Sequence, residues 1–287
     1  MCEDRAVAIY RIQQEDALRA PALIVSLDGW VDAGSAGTTA AEFIAAGGTV
    51  VATFDGDALI DYRARRPTLH VQDGVLTEME WPELTVRRVQ ADERDLLVLT
   101  GPEPDYRWNA FRGALVELSL RLGVVESVSL GAIPATVPHS RPTPIMVTGR
   151  DRRALVGDVE LPGFEMQVPA AAVNLVEVAL AEHGIPSVGI WAQVPHYVVG
   201  TYHGAALALV ERAMEHLGVQ ISTDRLVEEA MAERVRLDNI VAERPDAQAY
   251  LEQLEAAGPI PSITPDEDIA SEVEQFLRDR TGEDPGA

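Results

Sequence analysis

The chain has 287 residues, 24% of them charged and 47% apolar, and a formal net charge of −23. Such a charge repels nucleic acid and anionic membrane surfaces, so neither is expected as a partner. No apolar run approaches the roughly 18 residues that would span a bilayer, and Met1-Cys2-Glu3-Asp4-Arg5 offers no apolar signal core, so the expected compartment is the cytoplasm.

Residues 6–12 and 22–28 read as strands, short apolar runs rich in β-branched side chains. A glycine-rich turn with Gly29, Gly34 and Gly37 follows, then a helix of small residues over 35–46 and a strand over 49–54. The stretch 69–79 reads as a hairpin closing on Asp73-Gly74, and 85–91 as an exposed antiparallel strand with polar alternation. Strands at 95–100, 127–132 and 187–192 alternate with helices at 107–122 and 169–183. Four apolar periodic segments stop at Gly47, Gly123, Gly184 and Gly218 and pass into strand-like runs. Glycine just past a helix end takes the left-handed conformation cheaply. Strands alternating with helices imply βαβ units, a mostly parallel sheet and one α/β core.

Beyond Gly218 the character changes. Residues 224–287 hold 17 acids against 6 arginines. Charged amphipathic helices are expected at 224–243, 245–257 and 266–280, with a proline-rich linker at 258–265 and a disordered end at 281–287. The apolar side chains of the first of these, Val227, Met231 and Val235 among them, need a partner surface. The expected division is a core at 1–220 and an acidic helical extension at 221–287.

Open parallel sheets bind ligands beyond the carboxyl ends of their strands. Four loops should meet there. One carries Asp28, Gly29, Trp30, Asp32 and Gly34, and a second carries Gly101, Glu103, Arg107 and Trp108. A third carries His139 and Arg141, and a fourth His196 and Tyr197. Together they make a candidate pocket for a ligand or an interaction.

Each piece also has a plain reading. The glycine loop has neither G-x-G-x-x-G nor P-loop spacing, so a tight turn is favoured over an anion cradle. His139, Ser140 and Asp28 or Asp32 imitate a triad, but there is no G-x-S-x-G elbow. His139, His196 and His203 lack metal-site spacing. Arg107 and Arg141 suit a carboxylate or phosphate clamp, or structural ion pairs. The lone cysteine is Cys2, and all 23 basic residues are arginine, which excludes a Schiff base or a P-loop lysine. No catalytic residue, metal site or cofactor is therefore expected.

The runs LDGWVDAGSAGTTA, LTGPEPDYRW, GAIPATVPHSRP and SVGIWAQVPHY, in this order and spacing, resemble the proteasome assembly chaperone 2 family in its actinobacterial branch, over about residues 8–215. The resemblance implies a three-layer α/β/α sandwich similar to nucleoside phosphorylases. It also implies a homo-oligomer, with a trimer as the first expectation, and a scaffold whose candidate partners are proteasome subunits. The closing residues Glu283-Asp284-Pro285-Gly286-Ala287 lack the hydrophobic-Tyr-X tail by which related assembly factors dock, which counts against that mode of docking. The competing expectation is a small-molecule binder or an enzyme of phosphorylase or hydrolase type that uses the strand-end pocket.

Overall fold

The computed structural model of the chain describes residues 9–14, 16–91, 93–150 and 167–257. Residues 6–8 of the expected first strand, Cys2, the linker, the helix expected at 266–280 and the closing segment lie outside the described residues. In chain order the elements are β1 (Tyr10–Ile12), β2 (Ala22–Val25), α1 (Ala36–Ala45), β3 (Thr49–Phe54), α2 (Gly56–Leu59), β4 (Thr68–Gln72) and β5 (Val75–Glu80). Next come β6 (Thr85–Gln90), β7 (Asp95–Thr100), α3 (Trp108–Arg121), β8 (Glu126–Ala135), β9 (Ile145–Gly149) and α4 (Ala172–Glu182). Last are β10 (Ser187–Pro195), α5 (His203–Leu217), α6 (Asp224–Ala242) and α7 (Pro245–Ala256).

Eight strands form one sheet in the order β1-β3-β6-β7-β2-β8-β10-β9. The central run β7-β2-β8-β10 is parallel, and both flanks are antiparallel. Five of the eight strands point the same way, which makes this a mixed α/β fold with a mostly parallel sheet. The central strands are buried on both faces, as continuous apolar runs require. Ala22 and Ile24 face a layer built from α1, α5 and α6, while Leu23 and Val25 face α3 and α4. The helix over α1 is rich in alanine, so α5 approaches it closely through Ala205, Ala206 and Leu209.

The glycines expected to end helices do so, with φ of +74° at Gly47, +68° at Gly123, +81° at Gly184 and +65° at Gly218. After Gly218 no strand follows; Val219 enters the core and the chain turns into α6. The hairpin β4–β5 closes on Asp73-Gly74 and stands apart as a two-stranded sheet. Residues 85–91 form the expected antiparallel strand but are less exposed than expected. Their polar alternation suggests exposure, yet β6 lies inside the sheet between β3 and β7. Arg88 can sit there because its guanidinium pairs with the fully buried Asp95 at 3.0 and 3.2 Å. β9 is an antiparallel strand beside β10 that the sequence reading leaves unassigned. Among the described residues no helix is long and apolar enough to cross a membrane.

Glu177 of α4 is only 8% exposed and has no hydrogen-bond or ion-pair partner among the described residues. Burial alone raises its carboxyl from 4.5 to about 7. The protonated form is therefore favoured by folding. Its contribution is intact below pH 4.5 and is lost as pH rises through 7, at a cost on the order of 3 kcal/mol. Glu177→Gln is expected to melt above the wild type at pH 8, with the gap closing towards pH 5. Thermal denaturation at the two pH values checks this.

Candidate functional site

The parallel strands β7, β2, β8 and β10 end on one edge, and their trailing loops extend the sheet there. The Asp28 N–H donates to Gly101 O at 3.0 Å, Glu103 N to Asp28 O at 2.9 Å, and Ala132 N to Val31 O at 2.7 Å. The glycine loop is thus clamped between the loop after β7 and the end of β8. Gly34, at φ +60°, lies against Tyr202 at the start of α5, where a Cβ would come within 2.9 Å of the Tyr202 Cβ.

A parallel sheet points helix N-termini at this edge, where free N–H groups and the helix dipole attract anions. At α1, α4 and α5 those positions are filled by the protein's own carboxylates, whereas α3, preceded by Arg107, has no side-chain cap. Asp32 Oδ1 accepts from the N–H of Gly37 at 2.7 Å and of Thr38 at 3.2 Å, and Oδ2 from the Thr38 hydroxyl at 2.6 Å. Burial, outweighing these donors, holds Asp32 above the ordinary aspartate range. Glu103 Oε1 accepts from Ala172 N at 2.6 Å, at the start of α4. The residue preceding that helix is Ala171, which has no capping oxygen of its own. Glu233, reaching in from α6, accepts from His203 N at 2.6 Å and caps α5. The turn after β2 therefore holds an anion, but an internal one.

The remaining candidates divide into two groups. On the β2–β7 side, Asp28 meets Arg65 at 2.8 Å in a surface ion pair, and Trp30 is 68% exposed. Arg107 is exposed before α3 with φ +57°, and Trp108 Nε1 donates to Pro104 O at 2.5 Å. On the β8–β10 side, His139 is 2% exposed and fastened at both ring nitrogens. The Tyr197 hydroxyl accepts from the His139 backbone N–H and lies 2.7 Å from Nδ1. Asp238 Oδ1, 3.2 Å from Nε2, can only accept, which places the hydrogen of the neutral imidazole on Nε2 and leaves Nδ1 to accept from the Tyr197 hydroxyl. Burial, ahead of the opposing pull of Asp238, keeps this ring below the ordinary histidine range. His196 contacts Ala135 O through Nδ1 and the Tyr250 hydroxyl through Nε2, each at 3.2 Å. Ser140 donates to the Glu255 carboxylate and Arg141 to the Glu255 backbone carbonyl. Among the described residues Arg141 is in no ion pair; its guanidinium is tied to the α7 backbone.

The partners Asp238, Tyr250 and Glu255 all come from α6 and α7. Nothing local in the sequence marks them, since Asp238 is 99 residues from His139. The third histidine considered, His203, faces Glu229 and Glu233 at 3.9 and 3.6 Å, away from this set. Among the described residues no three metal-ligating side chains converge. The edge over β8 and β10 is therefore covered by the chain's own helices, and its polar groups are spent on holding them.

The sequence profile of the PAC2 family matches residues 26–241. Among solved structures, a Mycobacterium tuberculosis protein of unknown function is 32% identical, with TM-score 0.82 over 90% of this chain and 93% of that one. A PAC2 family protein from Streptomyces avermitilis is 33% identical, with TM-score 0.71 over 80% of this chain and 99% of that one. A Mycobacterium tuberculosis proteasome-assembly chaperone homologue is 29% identical, with TM-score 0.71 over the same shares. No functionally curated protein matches the chain.

Removing the Tyr197 hydroxyl strands the His139 N–H and Nδ1 in a dry environment. Tyr197→Phe and His139→Ala are each expected to cost about 2 kcal/mol, and the exposed His196→Ala under about 1 kcal/mol. Urea unfolding measures the difference. Faster amide exchange in α6 and α7 of the first two variants would locate the loss.

Proposed function

Because the chain belongs to the PAC2 family, we propose that it acts as a non-catalytic scaffold of proteasome-assembly-chaperone type. The observation that carries this reading is the internal use of the strand-end groups. A phosphate bound in phosphorylase fashion would have to displace Asp32 or Glu103 from a helix N-terminus. A proton shuttle at His139 would have to break two hydrogen bonds in a buried site. Fold likeness to enzymes does not outweigh this, because function resides in the site. The loop prolines 102, 104, 138, 142 and 195 support the same reading, since stiff loops lose little entropy on binding a protein surface. The proposed division of labour is a core at 1–220, braced by an extension at 221–287. The proposed compartment is the cytoplasm.

The proposed state is a homo-oligomer, with a trimer as the working number. Support comes from the hairpin. Its cross-strand pairs Leu69–Met79 and Val71–Leu76 form one exposed apolar face, while His70–Glu78 and Thr68–Glu80 form a polar one. A two-stranded hairpin is marginal alone. An uncharged patch lets copies carrying −23 each approach with less repulsion.

Two measurements follow. Purified chain mixed with purified proteasome α and β subunits is expected to comigrate with them on size exclusion and to speed assembly of the core particle. No association at micromolar concentration, combined with a melting-temperature rise on adding inosine and phosphate, would favour the enzyme reading. In sedimentation equilibrium the wild type is expected as an oligomer and Val71→Asp/Leu76→Asp at the monomer mass of 31.0 kDa; a monomeric wild type contradicts the oligomer.

A further inference from the structure

The hairpin β4–β5 needs more than a cover for one face. It stands apart from the main sheet, and among the described residues its backbone bonds only to itself. Both strands are therefore edges, each with a row of N–H and C=O groups turned to solvent, and no proline interrupts either strand. Every residue from Thr68 to Glu80 is exposed. On one face stand Leu69, Val71, Leu76 and Met79, between 45% and 67% exposed. A groove of about 690 Å³ separates residues 78–81 from the end of α1 at residues 45–47.

An occupant that satisfies this element meets three demands at once: hydrogen bonds along two edges, burial of one apolar face, and a second face left in water. A flat apolar surface meets only the burial. Two hairpins joined β4 to β4 about a twofold axis satisfy one edge and leave β5 bare. Copies placed around an axis that runs along the strands meet all three. Rotation about that axis sets β5 of one copy beside β4 of the next, and because β4 and β5 run antiparallel, so does each new contact. The ribbon then closes on itself, and closure removes every edge. The bulge between His70 and Val71 adds the bend that closure requires.

We propose that the hairpins of neighbouring copies join edge to edge, β5 of one to β4 of the next, and close into a β-barrel around the symmetry axis. The barrel rests on the homo-oligomer proposed above and names its contact. With the two strands of each hairpin, three copies make six strands. Leu69, Val71, Leu76 and Met79 of every copy fill the interior. His70, Glu78 and Glu80 lie on the opposite face, so the carboxylates of neighbouring copies stay in water.

The test reads mass, backbone and side chain separately on the full chain. Sedimentation equilibrium is expected to give three or more chains. Hydrogen–deuterium exchange is expected to be slowed at least about tenfold in both β4 and β5, relative to Val71→Asp/Leu76→Asp. Single cysteines in a Cys2→Ser background then report the two faces. The thiol of Val71→Cys is expected to react with a maleimide at least about tenfold more slowly than that of His70→Cys, because only the first points into the barrel. If Val71→Cys does not assemble, Met79→Cys is read in its place. A dimer mass, protection of one strand only, or equal reactivity of the two thiols overturns the barrel and leaves the homo-oligomer resting on another contact. A monomeric wild type overturns the homo-oligomer and the barrel with it.

Discussion

A parallel sheet aims the N-termini of its helices at the edge where its strands end, and each N-terminus brings unpaired N–H groups and partial positive charge. A negative group is favoured there, though α3 does without a side-chain cap. In many α/β proteins it is a ligand; here it is Asp32 on α1, Glu103 on α4 and Glu233 on α5. The three bonds differ in reach. Asp32 closes its own loop, Glu103 ties the loop after β7 to a helix on the opposite side of β2 and β8, and Glu233 draws a helix of the acidic extension onto the core. One electrostatic requirement thus fixes the loops, seats the helices and attaches α6.

The His139 assembly continues the same attachment by other means. Its imidazole sits between a tyrosine from the end of β10 and an aspartate from α6, while Ser140 and Arg141 reach α7. Groups that resemble catalytic equipment in isolation are here the fastenings between two parts of the chain. The scaffold we propose rests on this use of the groups, and the hairpin presents an exposed apolar face.

Much of the architecture is legible in the sequence because it rests on local signals. Gly47, Gly123, Gly184 and Gly218 announce their helix ends through a conformation other residues resist, and Asp73-Gly74 announces its turn. The strand-end loops are legible by topology. The long-range pairings are not. Arg88 looks solvated until Asp95 is placed beside it, and Glu103 looks like a ligand group until Ala172, 69 residues on, supplies an N–H. The alternation in 85–91 misleads for the same reason: a period of two shows which face is polar, but not whether a buried partner neutralises it.

Gly29 shows how far such pairing reaches. Its need for glycine does not come from its own backbone; a Cβ there would meet the Glu103 carboxylate oxygen at 2.6 Å and the Glu103 Cβ at 2.9 Å. That carboxylate cannot swing clear without releasing α4. The two positions are therefore locked together in evolution: any descendant that gains a side chain at 29 must shorten residue 103 and recruit a new cap for the helix. In an alignment of this lineage, glycine at the one and glutamate at the other should be inherited, or lost, as a pair.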